Sequence, residues 1–354
     1  MQRLPALLSP QALSQASLGQ RSNALRQPGQ VYTPPVQQVT PQMVRTSDGK
    51  THDMRRPNGR EMRDVRALTR LYTFPTFPVF NAGSAFTSST QAELQFREPG
   101  WIVGFMFEAQ NLGTRVARTS LAVALSVVGK GTALTSNSQT LVPIPISLLC
   151  PELANGGMDV APFVRHVQPN DAIYINWQNF NNAGLNITPT GAVLFLPDED
   201  APPGCRPLPV GSSLPPCSQF VLVPNQATPA APIAPSSNGP TNGVVTFLAN
   251  GLVNAFRGDV MMDTGNGRAA TAALIESWGG RRDAITTDTA ASSFAQLSLL
   301  AQGPEMALRL RRRVQIRDEV RCVFQNTDPA NSWAPNGVFF LDADDDLTKS
   351  SLYE

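Results

Sequence analysis

The sequence predicts an all-β protein made of two tandem, related β-sandwich domains behind an extended N-terminal arm. Three observations predict this fold: an internal repeat, segments with an apolar residue at every second position, and a composition rich in turn formers. Of the 354 residues, 31 are proline and 26 are glycine, while only 16% are charged. Such a composition is typical of short strands joined by many turns.

The internal repeat relates the two halves of the chain at a nearly constant offset. Six short patterns recur in the same order, and their offsets lie between 146 and 153 residues. The patterns begin at these pairs: Phe96 and Phe247, Ser147 and Ser298, Pro151 and Pro304, Val167 and Val314, Gln178 and Gln325, and Pro189 and Pro335. One such pair arises by chance, whereas six in order indicate a duplicated fold.

Alternating apolar residues predict which face of each copy is buried. In 172–177, Ile173, Ile175 and Trp177 lie on one face of a period-two strand. The partner segment is apolar at the matching positions, which are Val320, Cys322 and Phe324. We therefore expect this face to line the core of a sandwich in both copies.

Four residues mark the core of the repeat. Trp177 and Phe324 are predicted at equivalent buried positions, and Asp171 and Asp318 precede the two strands. The sequence Pro-Asn-Asp at 169–171 is typical of a turn, because proline fixes φ and the Asx side chains bond to nearby backbone.

Further strands are expected in both copies, and two segments are expected to be helical. The strands are predicted at 101–108, 120–128, 139–148, 191–196, 244–248, 252–256, 269–276 and 337–341, and the apolar run 220–223 is expected to open the second domain. The helices are predicted at 61–72, which is charged, and at 292–301, where Phe294, Leu297 and Leu300 form one stripe.

The domain boundaries follow from these elements. We expect a basic arm at 1–72, a first sandwich at 73–200, a linker at 201–217, a second sandwich at 218–346 and a tail at 347–354. Residues 201–240 contain 11 prolines, too many for a central strand or helix.

Charge is divided unevenly between the arm and the body. Residues 1–72 hold 11 Lys and Arg against 4 Asp and Glu, a net charge of +7; the remaining 17 and 23 give −6. Residues 1–60 also lack periodicity and cannot bury a core of their own. Either the arm meets an anionic partner, such as a genome or membrane, or it is a solvated leader.

The sequence predicts no catalytic site, no metal site and no cofactor. Only two histidines are present, His52 and His166, which leaves little material for a catalytic triad. The sequence contains no C-x-x-C pair, so a zinc site is not expected. His166 aligns with Arg313 and is interpreted as a surface strand residue. Cys205 and Cys217 flank a proline-rich stretch and would close a loop under oxidising conditions, although free thiols are the preferred interpretation.

Three short motifs have an ordinary structural interpretation. Asp-Thr-Gly at 263–265 resembles half of an aspartic protease site, but Asn-Gly at 266–267 favours a hairpin turn. Arg-Gly-Asp at 257–259 is interpreted as a turn rather than an integrin ligand. The acidic runs at 198–200 and 342–346 are interpreted as solvated strand exits rather than calcium loops.

A group of arginines is the candidate interface. Arg309, Arg311 and Arg313 alternate within one predicted strand, which would place all three on the same face. Adjacent like charges are unfavourable unless they are neutralised, so we expect acidic runs of a neighbouring copy, or phosphates, to lie against them.

Two related sandwiches, a basic arm and no catalytic constellation resemble viral coat proteins of the tandem or double jelly-roll kind, over roughly residues 73–346. The resemblance implies a bacteriophage or other virion structural protein that assembles with copies of itself, as a trimer or larger, and with other virion proteins. A phage decoration, vertex or tail-junction protein is one alternative. A tandem lectin-like or adhesin module is another.

Overall fold

The computed structural model describes residues 43–45 and 51–53 and most of the chain from 69 to 344. Within that stretch the gaps are 76–87, 111–118, 128–131, 137–139, 153–157, 181–186, 202–205, 213, 224–231, 240–242, 262–266, 277, 279–283, 288–292 and 302–305. The elements named below all belong to one compact unit, Met43–Glu354. Within the predicted arm, β1 (Met43–Arg45) and β2 (Thr51–Asp53) form an antiparallel pair.

The protein is all-β, and its first half forms two antiparallel sheets. In chain order the elements are β3 (Arg70–Thr73), β4 (Ser88–Gln95), β5 (Gly100–Gln110), β6 (Leu121–Val127), β7 (Thr132–Ala133), β8 (Thr135–Ser136), β9 (Ile144–Pro145), the single-turn helix α1 (Ile146–Leu149), β10 (Arg165–Val167), β11 (Ala172–Asn179) and β12 (Thr188–Pro197). One sheet has the order β10-β5-β12-β3 and the other β4-β11-β6-β7, with β9 also on β6.

The second half repeats this plan. Its elements are β13 (Gln219–Val223), β14 (Val244–Thr246), β15 (Gly251–Met261), β16 (Thr271–Glu276), β17 (Ala295–Gln296), the single-turn helix α2 (Leu297–Leu300), β18 (Leu308–Val314), β19 (Glu319–Asn326) and β20 (Ala334–Ala343). The sheets are β18-β15-β20-β13-β8 and β14-β19-β16-β17. Apart from β7 and β8, which have no named counterpart among the described strands, each strand has the same neighbours as its counterpart in the other half.

The repeat extends to individual hydrogen bonds in the turns before β11 and β19. The backbone N–H of Gln168 donates to the Asp171 carboxylate over 2.9 Å, and that of Gln315 donates to Asp318 over 2.8 Å. The third residue of each turn is left-handed, with φ of 72° at Asn170 and 73° at Arg317. Each aspartate therefore closes its turn by bonding the backbone three residues earlier.

The core of each half lies between its two sheets. Ile173, Ile175 and Trp177 are buried in the first core, where the Trp177 ring meets Phe107 edge-on with 5.6 Å between ring centroids. The matching residues of β19 are buried in the second core; they are Val320, Cys322 and Phe324. Polar neighbours on the same strands point outward, as period-two patterning requires.

The two halves lie side by side and point in the same direction. We call the end of each half where β5 or β15 begins its lower end. Near the lower ends, Arg206 binds both the Val164 carbonyl and Asp342 of β20. At the upper ends, the residues where the halves meet are Ala122, Phe180, Met261 and Ala334. Contacts at both ends require the long axes of the halves to run parallel.

The contact between the halves continues one sheet. β8 of the first half pairs in parallel with β13 of the second, and the Phe220 N–H donates to the Leu134 carbonyl over 2.8 Å. Beside it, Phe220 and Phe340 pack with Phe163 of the first half. The outer face of the second-half sheet is therefore covered by the first half.

Most of the predicted strands are confirmed, with their ends shifted by a few residues, but some predictions are wrong. Residues 70–72 of the predicted helix 61–72 form a strand, because pairing with β12 overrides their helix propensity; residues 61–68 lie outside the described residues. The predicted strand 139–148 is wrong at its end: β9 pairs with β6 only at Ile144 and Pro145, and the four residues that follow form α1. The predicted helix 292–301 contains β17 before its helical turn, α2.

The predicted linker is packed against the first half where it is described. The Val210 N–H donates to Val103 of β5 over 2.8 Å, the Cys217 N–H donates to Pro162 over 2.7 Å, and Leu214 is buried. Prolines do not interrupt these contacts, because the segment crosses the sheet face instead of extending a ladder.

Replacing Trp177 with alanine should lower the free energy of unfolding by about 3–5 kcal/mol, because the cavity left beside Phe107 and Gly191 cannot collapse fully. Urea unfolding followed by circular dichroism measures this. Ile316→Ala, at a side chain 57% exposed, is the control and should change stability by less than about 0.5 kcal/mol. A loss under about 1 kcal/mol for the tryptophan variant would contradict its assignment to the core.

Candidate functional site

The candidate interface lies on β18, at the edge of its sheet. Leu308 and Leu310 pack toward the second core, while Arg309, Arg311 and Arg313 are exposed. A strand at a sheet edge presents unpaired backbone groups, and charged side chains on it limit unspecific pairing. The structure therefore brings the three predicted arginines together on one accessible strand.

The strand that carries these arginines contains a bulge. The pairing of β15 with β18 shifts register between Val253 and Ala255, and Arg311 has a φ of 54°. Exposure nevertheless alternates along β18, so Arg309, Arg311 and Arg313 are exposed together despite the bulge. Sequence alternation alone does not reveal a bulge, because the signal depends on the partner strand.

Two equivalent side-chain contacts connect the residue that follows the last strand of each half to an outer strand. The Arg313 guanidinium binds Asp344 over 2.5 Å, and the imidazole of His166 lies 3.0 Å from Asp198. These pairs occupy matching positions after β20 and β12. His166 thus corresponds to Arg313 in contact as well as in sequence, while its ring also stacks edge-on against Trp101.

The acidic runs are largely engaged within the chain. Asp342 is buried against Arg206 over 2.7 Å, and Asp344 binds Arg313. Glu199 lies 3.4 Å from Arg70. The expectation that both runs are solvated exits is therefore wrong for Asp342, since its carboxylate holds the linker against β20; residues 345–346 lie outside the described residues.

An exposed polar cluster lies at the lower end of the first half. The Arg70 guanidinium and the Tyr72 hydroxyl both donate to Glu98, the hydroxyl over 2.7 Å. The pKa of Glu98 lies below its usual value, chiefly because the Tyr72 hydroxyl stabilises the carboxylate. The pKa of Tyr72 is raised, first by burial and then by Glu98.

A buried charge pair joins the two halves. Arg257 of β15 binds Asp159 of the first half over 2.8 Å and donates to the carbonyls of Leu148 and Leu149 over 2.9 and 3.0 Å. Burial lowers the pKa of Arg257, and the Asp159 charge opposes that shift. Sequence analysis missed this residue, since it interpreted 257–259 as a turn; these residues lie buried within a long strand, because the chain pairs with β20 throughout.

The described cysteines are buried free thiols: Cys150, Cys217 and Cys322. Burial raises the pKa of Cys217 well above its usual value and raises that of Cys322 as well. A high pKa disfavours the reactive thiolate. Cys205 and the Asp-Thr-Gly motif at 263–265 lie outside the described residues.

Within the described ranges, no three His, Cys, Asp or Glu side chains cluster as metal ligands. None of the helices in the described part of the chain is long and apolar enough to cross a bilayer.

Comparison with known proteins assigns no family. No protein-family model matches the chain, and no curated protein does. Among solved structures, N-glycanase F (PNGase F) is similar over 77% of this chain and 96% of its own, at 11% identity and a TM-score of 0.30. The ANXUR2 extracellular domain from Arabidopsis thaliana is similar over 85% and 94%, at 9% identity and a TM-score of 0.22. Scores this low leave function to be inferred from the chain's own residues.

Neutralising one member of the buried pair, as in Asp159→Asn, should lower the free energy of unfolding by about 3–5 kcal/mol, because a buried guanidinium is left without its counterion. The double variant Arg257→Met with Asp159→Met should recover most of this loss, since two apolar side chains of similar size need no counterion. Urea unfolding of both variants measures the difference. A double variant no more stable than the single one would contradict the assignment.

Proposed function

We propose that this chain is a structural protein of a virion, built from two tandem jelly rolls, that assembles with copies of itself. Its role is mechanical rather than catalytic. Other virion proteins are further partners, and the basic arm 1–72 meets either the genome or a membrane. A major shell role is favoured over a decoration or junction role, because the side-by-side halves form a broad block.

Strand order supports the jelly-roll assignment. Numbering the eight strands of the second half from β13 to β20, its sheets have the orders 6-3-8-1 and 2-7-4-5. Connections that cross between the two sheets in this way fit an eight-stranded sandwich of two Greek keys, an architecture used by capsid and lectin domains. The first half has the same orders when β9 takes the place of β17, and β7 is an additional strand on β6.

The observation that carries the proposal is that the same sandwich occurs twice, side by side and in the same direction. A lectin-like array needs each domain to present its own loops, and it does not need a shared buried contact. Here the halves share a continuous sheet and a buried ion pair, which fix their orientation. Rigid orientation is what a building block of a closed shell requires.

Assembly by the purified full-length chain tests the proposal directly. Sedimentation velocity and electron microscopy should show trimers or larger particles at micromolar concentration. Deleting residues 1–60 should abolish or alter these particles while the thermal unfolding of the monomer stays unchanged, because that segment has no core of its own. A full-length chain that stays monomeric and binds glycans would favour the adhesin alternative, and normal assembly of the deleted chain would reject a role for the arm.

Replacing Arg309, Arg311 and Arg313 with glutamine should weaken self-association and flatten its salt dependence, because exposed charge contacts are screened over about 8–10 Å at physiological salt. Sedimentation at increasing NaCl measures both effects, with the exposed Arg97→Gln as a control. If the triple variant assembles normally but no longer retains nucleic acid, β18 faces the genome instead. If neither property changes, the arginines are a solvated face.

A further inference from the structure

The contact between the halves uses two different surfaces, each of which has an unused equivalent on the other half. The first half supplies what we call the contributing face, made of α1 and the edge of β8. The second half supplies the receiving face, made of the outer side of β13, β20 and β15. Because the halves share one fold, the second half carries its own contributing face and the first half its own receiving face.

The contributing face of the second half is exposed where its equivalent is buried. In α1, Ser147 and Leu148 are buried where the helix meets β15, and the Leu148 carbonyl accepts from Arg257. Their equivalents in α2, Ser298 and Leu299, are both exposed, the leucine by 62%. A leucine this exposed on a single-turn helix has no role in its own core.

The strand-forming part of the contributing face is also duplicated. The Leu134 N–H donates to Leu125 over 2.8 Å, while the Thr135 hydroxyl accepts from the Leu125 N–H over 3.0 Å. In the second half, the Ile275 backbone makes the same two bonds, over 2.9 and 2.8 Å, with Ile285 and Thr286. The segment that pairs with β13 inside the chain therefore has a counterpart with the same local geometry.

The receiving face of the first half shows the complementary difference. Phe220, Phe340 and Ala255 form one row across β13, β20 and β15, and all three are fully buried against the first half. The equivalent row across β3, β12 and β5 is Leu71, Leu194 and Gly104. Leu71, at the position of Phe220, is 56% exposed.

The edge of β3 is open among the described residues, where β3 ends its sheet. Phe220 directs its N–H away from β20 and donates it to Leu134. Leu71 has the same register against β12 as Phe220 has against β20, so the Leu71 N–H points away from β12. The linker covers part of this face, with Val210 donating to Val103. Leu71 and Met106 remain exposed beside it.

The polar pair of the internal contact has apolar equivalents. Phe105 pairs with Ala161 in the first half as Phe256 pairs with Leu308 in the second. This register makes Met106 the equivalent of Arg257 and Met306 the equivalent of Asp159. The residues at these two positions are therefore methionines, and the charge pair near Met306, Arg268 with Asp259, is already made within the second half. A contact between these surfaces thus needs no new pairing of a buried guanidinium across it, unlike the contact of Arg257 with Asp159.

We propose that these two surfaces bind each other between chains, so that the second half of one copy docks on the first half of the next as the halves dock within a chain. This inference rests on the proposed self-assembly and names its surfaces. The contact is head-to-tail, with Leu299 of one copy toward Met106 of the next, as Leu148 lies toward Arg257, and with Ile285 toward Leu71, as Leu134 lies toward Phe220. Because the halves point in one direction, repeating the step keeps every sandwich in one layer, and the layer closes into a ring if the rotation divides the circle.

Complementary variants test this contact. Leu71→Asp destroys the receiving face and Leu299→Asp the contributing face, and both side chains are exposed, so the monomer should unfold at the wild-type temperature. Each variant alone should associate at least tenfold more weakly than wild type in sedimentation velocity. An equimolar mixture should form one-to-one dimers and nothing larger, because each variant retains the face that the other lacks. Leu208→Asp, at a linker side chain 72% exposed, should assemble as wild type.

The outcomes separate this inference from the proposed function. If wild type assembles and the two variants assemble equally well, the contact is overturned and self-assembly stands. If the variants are monomeric but their mixture forms no dimer, the contact is not head-to-tail and the inference is again overturned. A wild-type chain that stays monomeric at 
high concentration overturns the proposed function, and this contact with it.

Discussion

The buried guanidinium of Arg257 fixes how the two halves fit together. A charged group this deeply buried is tolerated only if it is paired and its donors are satisfied. Asp159 and the carbonyls of Leu148 and Leu149 meet that requirement only when α1 lies directly against β15. Apolar packing alone, such as that of Phe220 against Phe163, fixes orientation less strictly, because the hydrophobic effect is not directional. Burying the ion pair costs desolvation free energy, and its directional hydrogen bonds fix the orientation of one half relative to the other.

That single orientation explains why two similar halves have different surfaces. The sequence of each half has to satisfy the same internal core, so residues such as Trp177 and Phe324 are equivalent and equally buried. Outside the core, the second half covers the contributing face of the first half, and the first half covers the receiving face of the second half. Burial therefore differs between equivalent residues, as at Leu148 and Leu299.

Sequence reasoning found the features that depend on local pattern. Period-two alternation located the strand around Trp177, and the repeat located its partner around Phe324, because both signals lie within a few neighbouring residues. It missed the features that depend on pairing between distant segments. The bulge at Arg311 exists only relative to β15, and the strand at Arg70–Thr73 exists only because β12 lies beside it. The buried role of Arg257 was hidden for the same reason, since its partner lies 98 positions away.

The edge strands β18 and β3 are unlike, and the difference bears on which of them would form a ladder in the proposed contact between copies. β18 carries several arginines and a bulge, the devices that prevent an edge from adding strands indiscriminately. β3 is short and carries Leu71 at the position where Phe220 joins a ladder inside the chain. A backbone ladder between copies is therefore expected at β3, where hydrogen bonds and apolar contact coincide. In the proposed assembly, the arginines of β18 would act through long-range charge, which tunes the rate and salt dependence of association without forming the core of the contact.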